Sequence, residues 1–124
     1  MARTASCACG GLRVTCAAEP ILVVQCHCLA CQRRTGSPYG VAALFRRGDV
    51  LAEGPGRSHE RPSDSGSSVL FHFCPRCGSS VFWEPRRRPD VVAVAVGAFA
   101  DPDFPAPTQA IHAQHRHPWV GDLG

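Results

Sequence analysis

Short apolar runs, punctuated by glycine, proline and paired cysteines, predict an all-β fold of roughly eight to ten short strands. Three observations carry that expectation. No stretch of the 124 residues sustains a helical repeat for three turns, the apolar runs are only a few residues long, and several end directly in a cysteine cluster.

The elements follow in chain order. Gly10-Gly11 marks a turn, after which Leu12-Arg13-Val14-Thr15-Cys16 alternates apolar and polar residues as a half-buried strand does. Cys16 shares the inward set with Leu12 and Val14, so it reads as a buried structural thiol rather than a ligand. A second strand covers Ile21 to Val24, bounded by Pro20 and running towards Cys26. Leu29 to Thr35 lies between a cysteine cluster and Gly36-Ser37-Pro38, which limits it to a short helical turn. Strands are expected at Gly40 to Phe45 and Val50 to Glu53, divided by Arg46-Arg47-Gly48-Asp49. Gly54 to Ser68 is rich in Gly, Ser and Pro and reads as loop, with an edge strand around Arg57 to Arg61. Val69 to Phe73 enters the last cysteine pair and Ser80 to Trp83 leaves it, a hairpin with a metal knuckle at its tip. Arg86-Arg87-Arg88-Pro89 is an exposed turn, Val91 to Val96 a fully apolar strand, and Ala110 to His115 a last strand.

Length and composition set the frame. At 124 residues the chain is expected to form one domain, 1–124, with a core small enough that a bound metal would add heavily to stability. No apolar leader or membrane-spanning run is visible, which places the protein in the cytoplasm, without a membrane. In that reducing compartment clustered cysteines favour metal over disulfides. The net charge of +3 is too small to imply nucleic acid. All 13 basic residues are arginine, which compositional bias explains more simply than phosphate binding, although arginine also suits carboxylates.

Seven of the eight cysteines fall into three tight groups: Cys7 and Cys9; Cys26, Cys28 and Cys31; Cys74 and Cys77. Thiolates this close in sequence converge on one tetrahedral ion at about 2.3 Å per Zn–S bond, whereas disulfides join residues far apart. In Cys74-Pro75-Arg76-Cys77-Gly78, proline presets φ and glycine takes a left-handed conformation, so both sulfurs face one ion. Cys7 and Cys9, two apart, would point to opposite faces of a strand, so a turn must bring them together. Combining the two pairs gives a closed four-thiolate structural zinc.

The three remaining thiolates leave alternatives open. They suit a zinc with one position free for water, a thiol or a carbonyl oxygen. They also suit a closed site completed by His27 or a distant histidine, although His27 sits awkwardly between two ligands. Cys28 and Cys31 further have the spacing of a redox disulfide, without the βαβ context that accompanies it. Other residues read as ordinary: His72 on the solvent face of its strand, His112, His115 and His117 as surface histidines, Trp83 and Trp119 as core or rim aromatics. Arg33, Arg34 and Arg76 stand beside thiolates, where they offset negative charge, bind a substrate carboxylate or are simply solvated.

Cys7-Ala8-Cys9-Gly10, Cys26-His27-Cys28-Leu29-Ala30-Cys31-Gln32, Phe73-Cys74-Pro75-Arg76-Cys77-Gly78-Ser79 and Gly97-Ala98-Phe99-Ala100-Asp101-Pro102 together resemble the GFA family, the glutathione-dependent formaldehyde-activating enzymes. The resemblance spans nearly the whole chain. It implies an all-β Mss4-like scaffold, a structural zinc on Cys7, Cys9, Cys74 and Cys77, and a second, catalytic zinc on Cys26, Cys28 and Cys31. It also implies addition of a small thiol such as glutathione to a small aldehyde such as formaldehyde, formally a carbon–sulfur lyase in reverse. The rival reading is a non-catalytic zinc module that recognises a protein or nucleic acid.

Overall fold

The computed structural model describes residues 2–63 and 66–121. Among these, ten strands and one α-helix form two sheets: β1 Arg3–Ser6, β2 Arg13–Cys16, β3 Leu22–Cys26, α1 Leu29–Thr35, β4 Gly40–Arg46, β5 Val50–Glu53, β6 Arg57–Pro62, β7 Ser68–Phe73, β8 Ser80–Pro85, β9 Val91–Ala95 and β10 Gln109–Ile111. The small sheet has the order β1-β2-β5, and the large one β10-β3-β4-β9-β8-β7-β6. Pairing is antiparallel except for β10, which lies parallel to β3. The expectation of an all-β fold therefore holds.

The differences are local and physical. β1 was not expected, because Arg3-Thr4-Ala5-Ser6 offers one apolar residue; that residue, Ala5, is fully buried, and the strand takes its register from β2. The segment after Cys28 is a two-turn α-helix rather than a single turn. Its N-terminus is capped by the Cys28 sulfur, which accepts the Cys31 N–H, and it stops at Gly36 in the left-handed region. The strand expected over Ala110 to His115 is cut to Gln109–Ile111, since His112 turns to positive φ and a 3₁₀ turn, Ala113–His115, follows. Likewise β9 ends at Ala95, where Val96–Phe99 winds into a 3₁₀ turn. The edge strand in the polar stretch is real, as β6, and pairs with all of β7.

Alternation decides which side of the large sheet faces the core. Val23, Ala43, Phe45, Val92, Val94 and Val81 point towards the small sheet and pack with Val14, Cys16 and Leu12. Cys16 is fully buried there, the structural thiol the alternation predicted. Their neighbours in sequence, Val24, Ala42 and Ala93, face the other way and form a second, shallower apolar cluster with Leu22, Leu44 and Trp83. That outer face reaches the cysteines at the end of β3.

Candidate metal centres

The first group joins the two ends of the small core. Cys7 and Cys9 sit in the turn between β1 and β2, and Cys74 and Cys77 in the turn between β7 and β8, with all four sulfurs within 4.8 Å of one another. Each turn aims its first cysteine by the same device. The Leu12 N–H donates to the Cys7 sulfur at 3.2 Å, and the Arg76 N–H to the Cys74 sulfur at 3.4 Å. Gly78 lies at φ 78°, a conformation that a side chain disfavours, and its N–H closes the turn onto the Cys74 carbonyl at 2.8 Å. The Ala8 N–H reaches Ser79 Oγ at 3.2 Å, tying one turn to the other.

The second group is built on β3 and α1. Cys26 ends the strand, Cys28 caps the helix, and Cys31 lies in the helix's first turn, so three sulfurs converge within 4.8 Å. Among the described residues no histidine, carboxylate or further cysteine brings a ligand atom into this group. His27 is almost wholly buried and turned away: its Nε2 pairs with the Gln25 amide at 3.2 Å, its ring packs near Tyr39, and its Nδ1 has no partner. Burial, with help from Arg116 and His117, lowers its pKa and favours the neutral ring.

Both groups have the chemistry that a divalent zinc requires. A tetrahedral ion with bonds of about 2.3 Å separates its sulfurs by about 3.8 Å, and Cys9 stands 3.6 Å from both Cys7 and Cys74. Without a cation, sulfurs this close cannot all ionise. In the first group the Ser79 hydroxyl and N–H hold Cys77 at about 5, while Cys9 rises to about 11 because the Cys7 and Cys74 sulfurs outweigh the favourable Gly11 N–H. In the second, hydrogen bonding from Cys26, then Cys28 and the Arg34 guanidinium, lowers Cys31 to about 5, and Cys26 is pushed up by sharing a proton with Cys31 and by burial. A divalent cation removes that competition, since it favours every thiolate at once.

The remaining singled-out residues sort themselves by contact. His72 is not solvated: it stacks on Phe82 with centroids 4.3 Å apart and pairs with Glu84, because its register partner Phe82 belongs to the core side of the sheet. His112 and His115 are exposed, but His117 is half-buried and bonds Gln32 Oε1 at 2.9 Å, so it is not a free surface histidine. Trp119 is 71% exposed, neither core nor rim. Trp83 is half-buried on the outer face. Arg33 and Arg76 are solvated, whereas Arg34 lies over the Trp83 ring at 4.3 Å and reaches Cys31. The residues that sequence reasoning missed are Gln32 and Arg61. Gln32 donates to the His27 and His115 carbonyls and so fastens the C-terminal segment to α1, a role that its position after Cys31 hinted at.

No helix among the described residues is long and apolar enough to cross a membrane. No curated protein matches the sequence. A crystal structure of a Rhodobacter sphaeroides protein superimposes with a TM-score of 0.61 at 20% identity, covering 86% of this chain and 98% of that one, a likeness of fold. A family model described as glutathione-dependent formaldehyde-activating enzyme matches residues 2–115, which takes in both cysteine groups and the strands that carry them. The all-β scaffold, the two convergent thiolate groups and this match place the chain in the GFA family, the glutathione-dependent formaldehyde-activating enzymes.

Proposed function

We propose that the chain is a zinc-dependent enzyme of carbon–sulfur lyase type that joins a small thiol to a small aldehyde, as S-(hydroxymethyl)glutathione synthase does with glutathione and formaldehyde. Cys7, Cys9, Cys74 and Cys77 would hold a closed, structural zinc, and Cys26, Cys28 and Cys31 a second, catalytic zinc with one position open. The observation that carries the reading is the second group itself: three convergent sulfurs, no fourth protein donor among the described residues, and a groove beside them. A closed Cys₃His site has no support among the described residues, since no histidine nitrogen joins the three sulfurs.

A zinc held by three thiolates supplies Lewis acidity to a bound thiol or carbonyl oxygen and lowers the thiol's pKa. The chain's own residues do the rest. Arg34 offsets negative charge on Cys31, α1 and β3 fix the three sulfurs, and the groove brings two reactants together. The reaction balances without a redox partner: the S–H proton ends on the carbonyl oxygen as the C–S bond forms. We also place this single unit, residues 1–124, in the cytoplasm, where clustered thiols stay reduced.

Thiol-dependent consumption of formaldehyde tests the reading, with wild type set against Cys28→Ser. The rate in the variant is expected to fall to the uncatalysed background while circular dichroism stays that of wild type. Equal rates in the two proteins would remove the catalytic assignment.

A further inference from the structure

The outer face of the large sheet is more than a covered core. Leu22, Leu44, Ala93 and Trp83 lie side by side across β3, β4, β9 and β8, with Val24 and Ala42 in the neighbouring row. The two alanines are small where their neighbours are large, which hollows the sheet into a groove of about 420 Å³. One end of that groove is formed by Cys26, Cys28 and Cys31. Its size falls within the range of small-ligand sites, and its walls are mainly apolar. Formaldehyde, with one carbon, has no use for such walls. An apolar substituent on the reacting carbon does.

Two arginines complete the groove's surroundings. Arg61, on the edge strand β6, lines it, and its Nε and Nη1 are buried without a hydrogen-bond partner; Arg34 Nε is in the same condition. Both guanidinium groups lie over the Phe71 ring, at 4.8 Å and 5.5 Å, which holds them no more than about 10 Å apart, within the range where charges act on each other. Neither is paired with a carboxylate among the described residues. Two like charges with unused N–H groups beside a reactive site are the arrangement that attracts a carboxylate, and the planar fork suits it.

We propose that the three-thiolate site takes thiol adducts whose carbon side is an apolar group of several carbons, seated in this groove, with a carboxylate of the adduct held by Arg34 and Arg61. The inference rests on the reading above and names its substrate class: hemithioacetals of alkyl or aryl aldehydes. In such a step the thiol sulfur bonds the carbonyl carbon, the C=O π bond opens, and the thiol proton ends on oxygen; cleavage is the reverse. No oxidant or reductant enters.

Stable thioethers test it by binding alone. S-Methyl-, S-propyl- and S-hexylglutathione are titrated calorimetrically into the zinc-loaded protein, in wild type, Leu44→Gln and Arg61→Gln, with folding checked by circular dichroism. Affinity is expected to rise about fourfold per added methylene until the groove is filled. Leu44→Gln is expected to shrink the hexyl-to-methyl ratio, and Arg61→Gln to weaken S-hexylglutathione about tenfold or more. Affinity independent of chain length, or a chain-length gain that Leu44→Gln leaves intact, overturns the groove assignment; undiminished binding by Arg61→Gln overturns the carboxylate assignment. A stable dimer that becomes monomeric in Leu44→Gln also overturns it, since the face would then belong to a second copy. Formaldehyde turnover without chain-length-dependent binding leaves the proposed function standing and removes only this inference, whereas the reverse pattern removes the formaldehyde activity and keeps the groove.

Discussion

Cys28 serves two purposes with one atom. Its sulfur belongs to the three-thiolate group and accepts the Cys31 N–H at 3.3 Å as the cap of α1. Serine is a strong cap as well, so Cys28→Ser removes a thiolate while keeping the helix start, whereas Cys28→Ala removes both and is expected to lower stability by about 1 kcal/mol more. Urea denaturation of the two variants checks this. Gly54 makes the opposite point, that a residue without chemistry can govern a site. It lies at φ 98°, and a Cβ there would stand 1.9 Å from the Gly11 carbonyl oxygen, in the turn that carries Cys9. Gly54→Ala is expected to cost about 2 kcal/mol or more in the same measurement, and to loosen the first metal centre with it. Nothing in Val50 to Glu53 announces that contact, because it joins the end of β5 to a loop about forty residues earlier.

At the scale of elements, the hairpin β7–β8 is held by more than its ladder. Glu84 on β8 binds His72 across the hairpin and Arg47 at 2.7 Å. Burial raises the Glu84 carboxyl, but the His72 and Arg47 bonds outweigh it, so its pKa in the folded chain lies below the ordinary value. A depressed carboxyl contributes stability that is complete above its unfolded pKa and is lost as pH falls through the folded one. The melting temperature of wild type is therefore expected to drop more steeply than that of Glu84→Gln below about pH 4, measured by thermal scans across the acid range. Parallel slopes for the two proteins would count against it. Elements with a clear apolar pattern were legible in the sequence: β2 lies where alternation put it, and β4, β7, β8 and β9 lie where short apolar runs bounded by turn residues put them. β1 was not, since four mostly polar residues become a strand only through pairing with β2. Nor was the full length of α1, whose cap is a cysteine rather than one of the usual capping residues.

At the scale of the whole molecule, the cysteines link what the backbone leaves apart. The first group ties the small sheet to the tip of the β7–β8 hairpin, and the second ties the end of β3, next to the edge of the large sheet, to α1. Their grouping was legible because tight spacing brings the sulfurs together; the groove and the Arg34–Arg61 pair were not, because they arise where seven strands of the large sheet and one helix meet. Removing the first metal is expected to destabilise the whole chain, and removing the second to spare the fold, so that a strong chelator lowers the melting temperature in two stages, the smaller one first. The most direct test of the account is zinc bound per folded chain, measured by mass spectrometry on wild type, Cys28→Ser and Cys74→Ser. The account predicts two zincs in wild type, one in a folded Cys28→Ser, and a destabilised Cys74→Ser. One zinc in wild type, or two in Cys28→Ser, would contradict it.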